Sequence, residues 1–85
     1  MSLEFVDHVS LTETEYGVIL LDQKQGRYWR LNPTAALVMN TLRDGGDRQA
    51  AVTRVVETFD VDPRRAEDDI VDLLAGMRAA GVLRS

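Results

Sequence analysis

The sequence has no cysteine, a single histidine and no long apolar run among its 85 residues. Without thiols it has no disulfide framework, no thiolate nucleophile and no cysteine-based metal site. No segment approaches the roughly 20 apolar residues that span a bilayer. The N-terminus "MSLEFVDHVSL" is acidic where a secretory signal is basic. We therefore expect a cytoplasmic protein that has no membrane partner.

Groups of residues that would indicate catalysis are also missing. The one histidine, His8, lies near the N-terminus in a predicted strand, and no catalytic triad can be assembled around it. The acids Glu67, Asp68, Asp69 and Asp72 lack the spacing of a calcium-binding loop and have no histidine beside them. Such acids are typical of a solvated helix face. The sequence predicts that the protein is not an enzyme and holds neither a metal nor another cofactor.

Positive charge is in the minority. Ten basic residues stand against 14 acidic ones, which gives a net charge of −4, and residues 60–72 alone contain six acids and two arginines. Binding to a phosphate backbone needs the opposite balance, so we expect no nucleic-acid partner. The short connection "DVDP" between two predicted helices nevertheless resembles a helix-turn-helix. A winged-helix DNA-binding or regulatory module is therefore the alternative function, and a structural interaction domain is a third.

The length of the chain predicts a single domain, residues 1–85. A chain this short buries only about 60% of its unfolded surface and cannot form two cores. Three strands are expected in its first third. "HVSLTET" alternates apolar and polar residues, and "YGVILLD" is a short aliphatic run. "RYWRL" follows the hairpin turn "DQKQG", in which Gly26 provides a positive φ.

Helical signals begin where the strand pattern ends. Asn32–Pro33 begins a first helix, Asp47 caps a second, and Asp62–Pro63 starts a third that ends at Gly81, after which "VLR" forms a short extended segment. The fold class is therefore α+β, winged helix-turn-helix-like, with a three-stranded antiparallel sheet followed by three helices. The apolar stripes of the helices contain Ala35, Val38, Met39 and Leu42, then Val52, Val55, Val56 and Phe59, and then Ala66, Ile70, Leu73, Leu74 and Met77.

The third strand and the third helix together predict a binding groove. At 100° per residue, Leu74 and Val71 lie on one flank of the helix, and the opposite flank at Asp69, Gly76 and Ala80 presents less apolar surface. If the first flank borders the third strand, the two elements form a shallow apolar groove for a peptide that adds a fourth strand. The predicted peptide-binding residues are Arg27, Tyr28, Trp29, Arg30, Leu31, Glu67, Asp68, Val71, Asp72, Leu74 and Arg78.

The predicted third strand, "RYWRL", also has an interpretation that involves no ligand. Arg27 and Arg30 protect an exposed sheet edge from aggregation, and Tyr28 and Trp29 are core or half-buried residues. An unprotected edge also pairs with its counterpart in a second molecule, which predicts a homodimer in the absence of peptide.

Two stretches carry a resemblance to a known family. "LLDQKQGRYWRLNPTAALVMNTLRDGG" and "VVETFDVDPRRAEDDIVDLLAGMRAAGVL" resemble the PqqD-like family, the RiPP recognition elements, over about residues 17–83. The resemblance implies that the leader of a ribosomally made precursor peptide pairs with the third strand and lies against the third helix.

Within this family the chain is most similar to the discrete leader-binding proteins of lasso-peptide biosynthesis. That similarity implies delivery of the leader to a separate leader peptidase, after which a macrolactam cyclase acts. Lasso leaders carry a Tyr-x-x-Pro element, for which Trp29, Leu31, Val71 and Leu74 are the expected pocket walls. Basic leader residues are expected to pair with Glu67, Asp68 and Asp72.

Overall fold

Eight elements follow one another along residues 4–84, the part of the chain that the computed structural model describes. The three predicted strands and three predicted helices are all present, so the α+β order is confirmed. The strands are β1 (Glu4–Phe5), β2 (Val9–Thr14), β3 (Gly17–Asp22), β4 (Arg27–Leu31) and β5 (Leu83–Arg84), and the helices are α1 (Pro33–Arg43), α2 (Arg48–Phe59) and α3 (Pro63–Ala79).

The sheet of β2, β3 and β4 is an antiparallel meander with β3 in the centre. Its second hairpin turns at Gly26, whose φ of +68° confirms the predicted left-handed conformation. The register places Leu11, Leu20 and Trp29 beside one another on the face that packs against the helices. Tyr28, which is opposite Leu21 in β3, therefore lies on the other face.

Local signals fix the helix ends as predicted. The side chain of Asn32 accepts a hydrogen bond from the backbone N–H of Ala35 at 2.7 Å, and Asp47 and Asp62 cap α2 and α3 in the same way. Each such cap stabilises its helix by about 1 kcal/mol. Gly81, with a φ of +81°, follows the end of α3. These ends determine where α3 begins and stops relative to β4.

The core lies between the inner face of the sheet and the three helices. Phe59, which the spacing placed on the buried stripe of α2, is exposed at the last residue of that helix. In residues 4–84 no helix is both long and apolar enough to cross a membrane. The core cluster consists of Leu20, Val38, Met39, Leu42, Ala51, Val52, Val55, Ala66, Ile70, Leu74, Val82 and Leu83.

A second, two-stranded sheet joins the ends of the described chain. β1 pairs antiparallel with β5, with Phe5 opposite Leu83. The backbone N–H of Val82 also donates to the carbonyl of Met77 at 3.1 Å, which ties β5 to α3. The extended segment predicted after Gly81 is thus confirmed as β5, whereas β1 was not predicted. Its two residues are too few to show a strand period.

Candidate functional site

β4 is an edge strand within residues 4–84, because β3 is its only neighbour there. Alternate residues of an edge strand direct their N–H and C=O groups away from the sheet, where another extended chain can pair with them. On its inner face Trp29 and Leu31 are half-buried against the core. On its outer face Tyr28 is 65% exposed and Arg30 is exposed too. The predicted segment "RYWRL" therefore has one apolar face beside a free backbone edge.

One hydrogen bond and one shared cavity indicate which flank of α3 is turned towards β4. At the C-terminal end of α3, the Arg27 Nη2 donates to the carbonyl oxygen of Ala80 at 2.9 Å. At the N-terminal end, Asp69 lines a shallow cavity together with Thr34, which follows β4 by three residues. The helix thus runs antiparallel to β4, with Ala80 near the start of the strand and Asp69 near its end. The whole lining of the cavity is Thr34, Val55, Val61, Arg65, Ala66 and Asp69.

Helical spacing places Leu73 and Gly76 on the same stripe as these two contacts. Asp69, Leu73, Gly76 and Ala80 are separated by four, three and four residues, which keeps them on one side of a helix. Leu73 and the neighbouring Met77 are half-buried and pack against the core, as Trp29 and Leu31 do on β4. We call the space between Arg27, Trp29 and Leu31 on β4 and Asp69, Leu73 and Met77 on α3, with Ala80 just after it, the β4–α3 groove.

The opposite flank was predicted to form this wall, and the structure corrects that prediction. Leu74 is only 3% exposed and belongs to the core, so it is not available to a peptide. Val71 is 39% exposed, but it lies on the far side of Leu74 from the groove stripe, with Glu67 and Arg78. Leu74 belongs to the same core cluster as Val82 and Leu83, in line with its place on the predicted apolar stripe of α3.

The acidic residues predicted to meet a basic leader lie outside the groove stripe. Asp68 and Asp72 are exposed on the outer surface of α3, and Glu67 is exposed on the Val71 side. Their part in peptide binding stays a prediction, as does that of Tyr28 and Arg30.

Asp22 is a functional candidate that the sequence did not reveal. Its side chain is completely buried at the end of β3. Its Oδ2 accepts a hydrogen bond from Arg27 Nη2 at 2.8 Å, and its Oδ1 accepts from the backbone N–H groups of Lys24 at 3.1 Å and Gln25 at 3.2 Å. The Nε2 of His8 lies 3.5 Å from the same Oδ1. Asp22 therefore holds both the hairpin turn and the Arg27 side chain.

These partners also control the charge of the carboxylate. The hydrogen bond from Arg27 holds the pKa of Asp22 below its ordinary value of 3.8, against burial, which acts to raise it. The backbone bond from Gln25 and the nearby His8 lower the pKa further. Asp22 is consequently ionised at neutral pH and forms a charged pair with Arg27. Two features pointed to this pair, namely an aspartate that starts a tight turn and its position directly opposite Arg27 in the hairpin.

The fold and the groove define a class of protein. A three-stranded sheet with three helices, a helix-turn-helix at α2 and α3, and an open strand edge make a winged helix-turn-helix-like domain. The model of the family described as coenzyme PQQ synthesis protein D (PqqD) matches residues 17–83. The chain belongs to this PqqD family, and the predicted relationship to RiPP recognition elements is confirmed.

Solved structures agree with this assignment. The chain is 30% identical to one described as lasso peptide synthetase B1 complexed with the leader peptide, with a TM-score of 0.90 and all of both chains covered. It is 22% identical to TbiB1 in complex with the TbiA(beta) leader peptide, with a TM-score of 0.88, and covers 100% and 96% of the two chains. The second likeness concerns the fold alone. None of the curated proteins matches the chain.

Proposed function

We propose that the protein binds the leader region of a ribosomally made precursor peptide, of the lasso class, in the β4–α3 groove. The observation that carries this proposal is the free edge of β4 beside the half-buried apolar side chains of the groove. Family membership and the leader peptides named in both similar complexes supply the class of ligand.

The leader adds to β4 as a fourth strand. Its main-chain groups pair with the outward N–H and C=O groups of β4, and its alternate side chains enter the groove. Trp29 and Leu31 form one apolar wall, and Leu73 and Met77 form the other. The remaining leader side chains lie on the outer face beside Tyr28, where sequence is less restricted. Affinity thus comes from the backbone, and selectivity comes from the groove.

The protein acts without catalysing a reaction. The residues of the groove are aromatic, aliphatic, one arginine and one aspartate, a set suited to holding a peptide rather than to cleaving it. The bound leader is presented to a separate leader peptidase, and a macrolactam cyclase acts on the released core. In the absence of leader, the same edge of β4 pairs with a second copy of the chain, so leader and homodimer compete.

Titration of fluorescein-labelled leader peptides tests the proposal by fluorescence anisotropy. The probes are the leader peptides of the two similar complexes and a synthetic leader from a precursor encoded beside the protein's own gene. We expect the last of these to bind with a Kd well below roughly 100 μM, which corresponds to about −5.5 kcal/mol. No binding of that peptide at this concentration would contradict the proposal. Duplex DNA is the negative control, because α3 exposes Glu67, Asp68 and Asp72.

A further inference from the structure

The guanidinium of Arg27 is held on three sides. Its Nη2 donates to the buried Asp22 at 2.8 Å and to the carbonyl of Ala80 at 2.9 Å, so both hydrogens of that nitrogen are used. Its Cζ lies 5.1 Å from the centroid of the Trp29 ring, within the range of a cation–π contact. The side chain therefore bridges β3, β4 and the end of α3 in one orientation. It also closes the Ala80 end of the β4–α3 groove.

One part of this side chain is left for a ligand. The Nε is buried without a hydrogen-bond partner in residues 4–84, yet the side chain as a whole is 40% exposed. No hydrogen-bond partner of Nη1 lies within the same residues. Nη1 therefore has two N–H donors left over, on a side chain that is held beside Trp29 at the end of the groove.

We propose that Nη1 of Arg27 donates a hydrogen bond to an oxygen of the bound peptide, and that Asp22 is the positioning residue that aims it. This inference rests on the proposed function, because it assigns a contact to the leader in the groove. A main-chain carbonyl suits the donor best. Asp22 already balances the charge of Arg27, and a second carboxylate would lie close enough to Asp22 to be repelled.

The arrangement also determines the register of the peptide. A strand that slips by one residue exchanges the side chains that face the groove, and a backbone edge alone does not prevent this. A donor fixed at one end accepts only the peptide oxygen that lies opposite it when the apolar side chains fill the groove. Because Arg27 is held before the peptide arrives, little conformational entropy is lost in making the bond.

Three variants test the inference in the anisotropy assay. Arg27→Lys keeps the charge but cannot bond Asp22, Ala80 and the peptide together, so we expect affinity to fall about tenfold. Asp22→Asn keeps an oxygen acceptor for the turn but releases Arg27, and several-fold weaker binding is expected. Arg54→Lys makes the same change on α2, outside the groove, where Arg54 donates to Thr41 at 3.2 Å; it is the matched control, with affinity within about twofold.

A double-mutant cycle separates positioning from stability. If Asp22 acts through Arg27, the double variant Asp22→Asn with Arg27→Lys binds no more weakly than Arg27→Lys alone. Additive losses would show that Asp22 acts independently and would overturn its assigned role. Circular dichroism of each variant shows whether the fold is retained.

Nuclear magnetic resonance of the unaltered protein gives a second readout that does not depend on a variant folding. The side-chain N–H signals of Arg27 are expected to shift and to exchange more slowly when the leader is added. Replacing one leader amide by an ester weakens a carbonyl acceptor, whereas replacing leader Asp or Glu by Asn or Gln removes a carboxylate acceptor. The replacement that abolishes the shift identifies the source of the oxygen.

The outcomes distinguish the two proposals. If the unaltered protein binds none of the leader peptides, the proposed function fails and this inference fails with it. If it binds the leader but the Arg27 signals stay unchanged and Arg27→Lys binds equally well, the inference alone is wrong.

Discussion

The two flanks of α3 differ in burial and in orientation towards β4, and their residue types alone do not predict this difference. The flank at Glu67, Val71 and Leu74 is the more apolar one, and it was expected to line the groove. In the structure Leu74 is buried with the β5 region, and Val71 is left exposed beyond it. The flank with less apolar surface, at Asp69 and Leu73, is instead the one turned towards β4. Arg27 bonds Ala80 at one end of this flank, and Asp69 lines a cavity with Thr34 at the other.

The difference shows that apolar content alone does not identify a binding wall. An apolar side chain that the core buries, such as Leu74, has no surface left for a ligand. A wall for a peptide needs side chains that stay half-exposed, with small or polar neighbours that leave room. Leu73, beside Gly76 and Asp69, meets that requirement, whereas Leu74 does not.

The largest expected effect is on folding. Leu74→Asp places a carboxylate in the core and is expected to cost about 4 kcal/mol or more, which is enough to unfold a domain of this size. Val71→Asp, three residues earlier on the same flank, should change stability by about 0.5 kcal/mol or less. Urea denaturation followed by circular dichroism measures both variants. A folded Leu74→Asp protein would show that this flank is open after all.

The next largest effect is on binding and separates the two flanks directly. Leu73→Ala removes part of the proposed groove wall, so leader affinity should fall about tenfold in the anisotropy assay. Val71→Ala is the matched truncation on the other flank and should leave affinity within about twofold. The reverse pattern would restore Val71 to the binding site and remove Leu73 from it.

A pH series tests the pair of Asp22 and Arg27, which connects β4 to the end of α3 through Ala80. The pKa of Asp22 is lower in the folded protein than its ordinary 3.8, so its ionised form stabilises the fold above that pH. This contribution is lost as the pH falls below 3.8 and through the folded pKa. The urea midpoint of unfolding is measured from pH 6 downwards. It should therefore fall less steeply with pH for Asp22→Asn than for the unaltered protein. Parallel curves would mean that the pair with Arg27 contributes nothing to stability.

The smallest effect concerns the outer surface of α3, which belongs to neither flank. Replacing Asp68 and Asp72 together by asparagine should alter leader affinity by about twofold or less at 0.15 M salt, because exposed charges at this distance are largely screened. Anisotropy titrations at low and physiological salt check this. A loss of tenfold would instead support the predicted pairing of these acids with basic leader residues.

The sequence predicted those parts of the fold that depend on neighbouring residues. Asn32, Asp47 and Asp62 cap the helices that follow them, and Gly26 turns the hairpin, since each signal acts over a few residues. The order of three strands followed by three helices was likewise predicted correctly. Spacing along a single helix could not do the same for the groove wall, because it does not show how fully the rest of the fold buries each side chain of α3, such as Leu74.

The role of Asp22 was missed for a related reason. Its turn chemistry was visible in the sequence, but its partner Arg27 is also bonded to Ala80, 53 residues later in the chain. Contacts of such long range follow from the assembled fold and not from a local pattern. The family resemblance supplied the class of ligand, which no spacing of residues contained.

The pairing of β1 with β5 also has a consequence for the order of assembly. The β2–β3–β4 hairpins and the α1–α2–α3 turns join neighbours in the chain, whereas Phe5 and Leu83 meet only when nearly the whole chain has closed into a loop. Closing a long loop costs more entropy than closing a short one, and that cost precedes the gain from the contact. We therefore expect β1 and β5 to join last in folding and to open first in native-state hydrogen exchange.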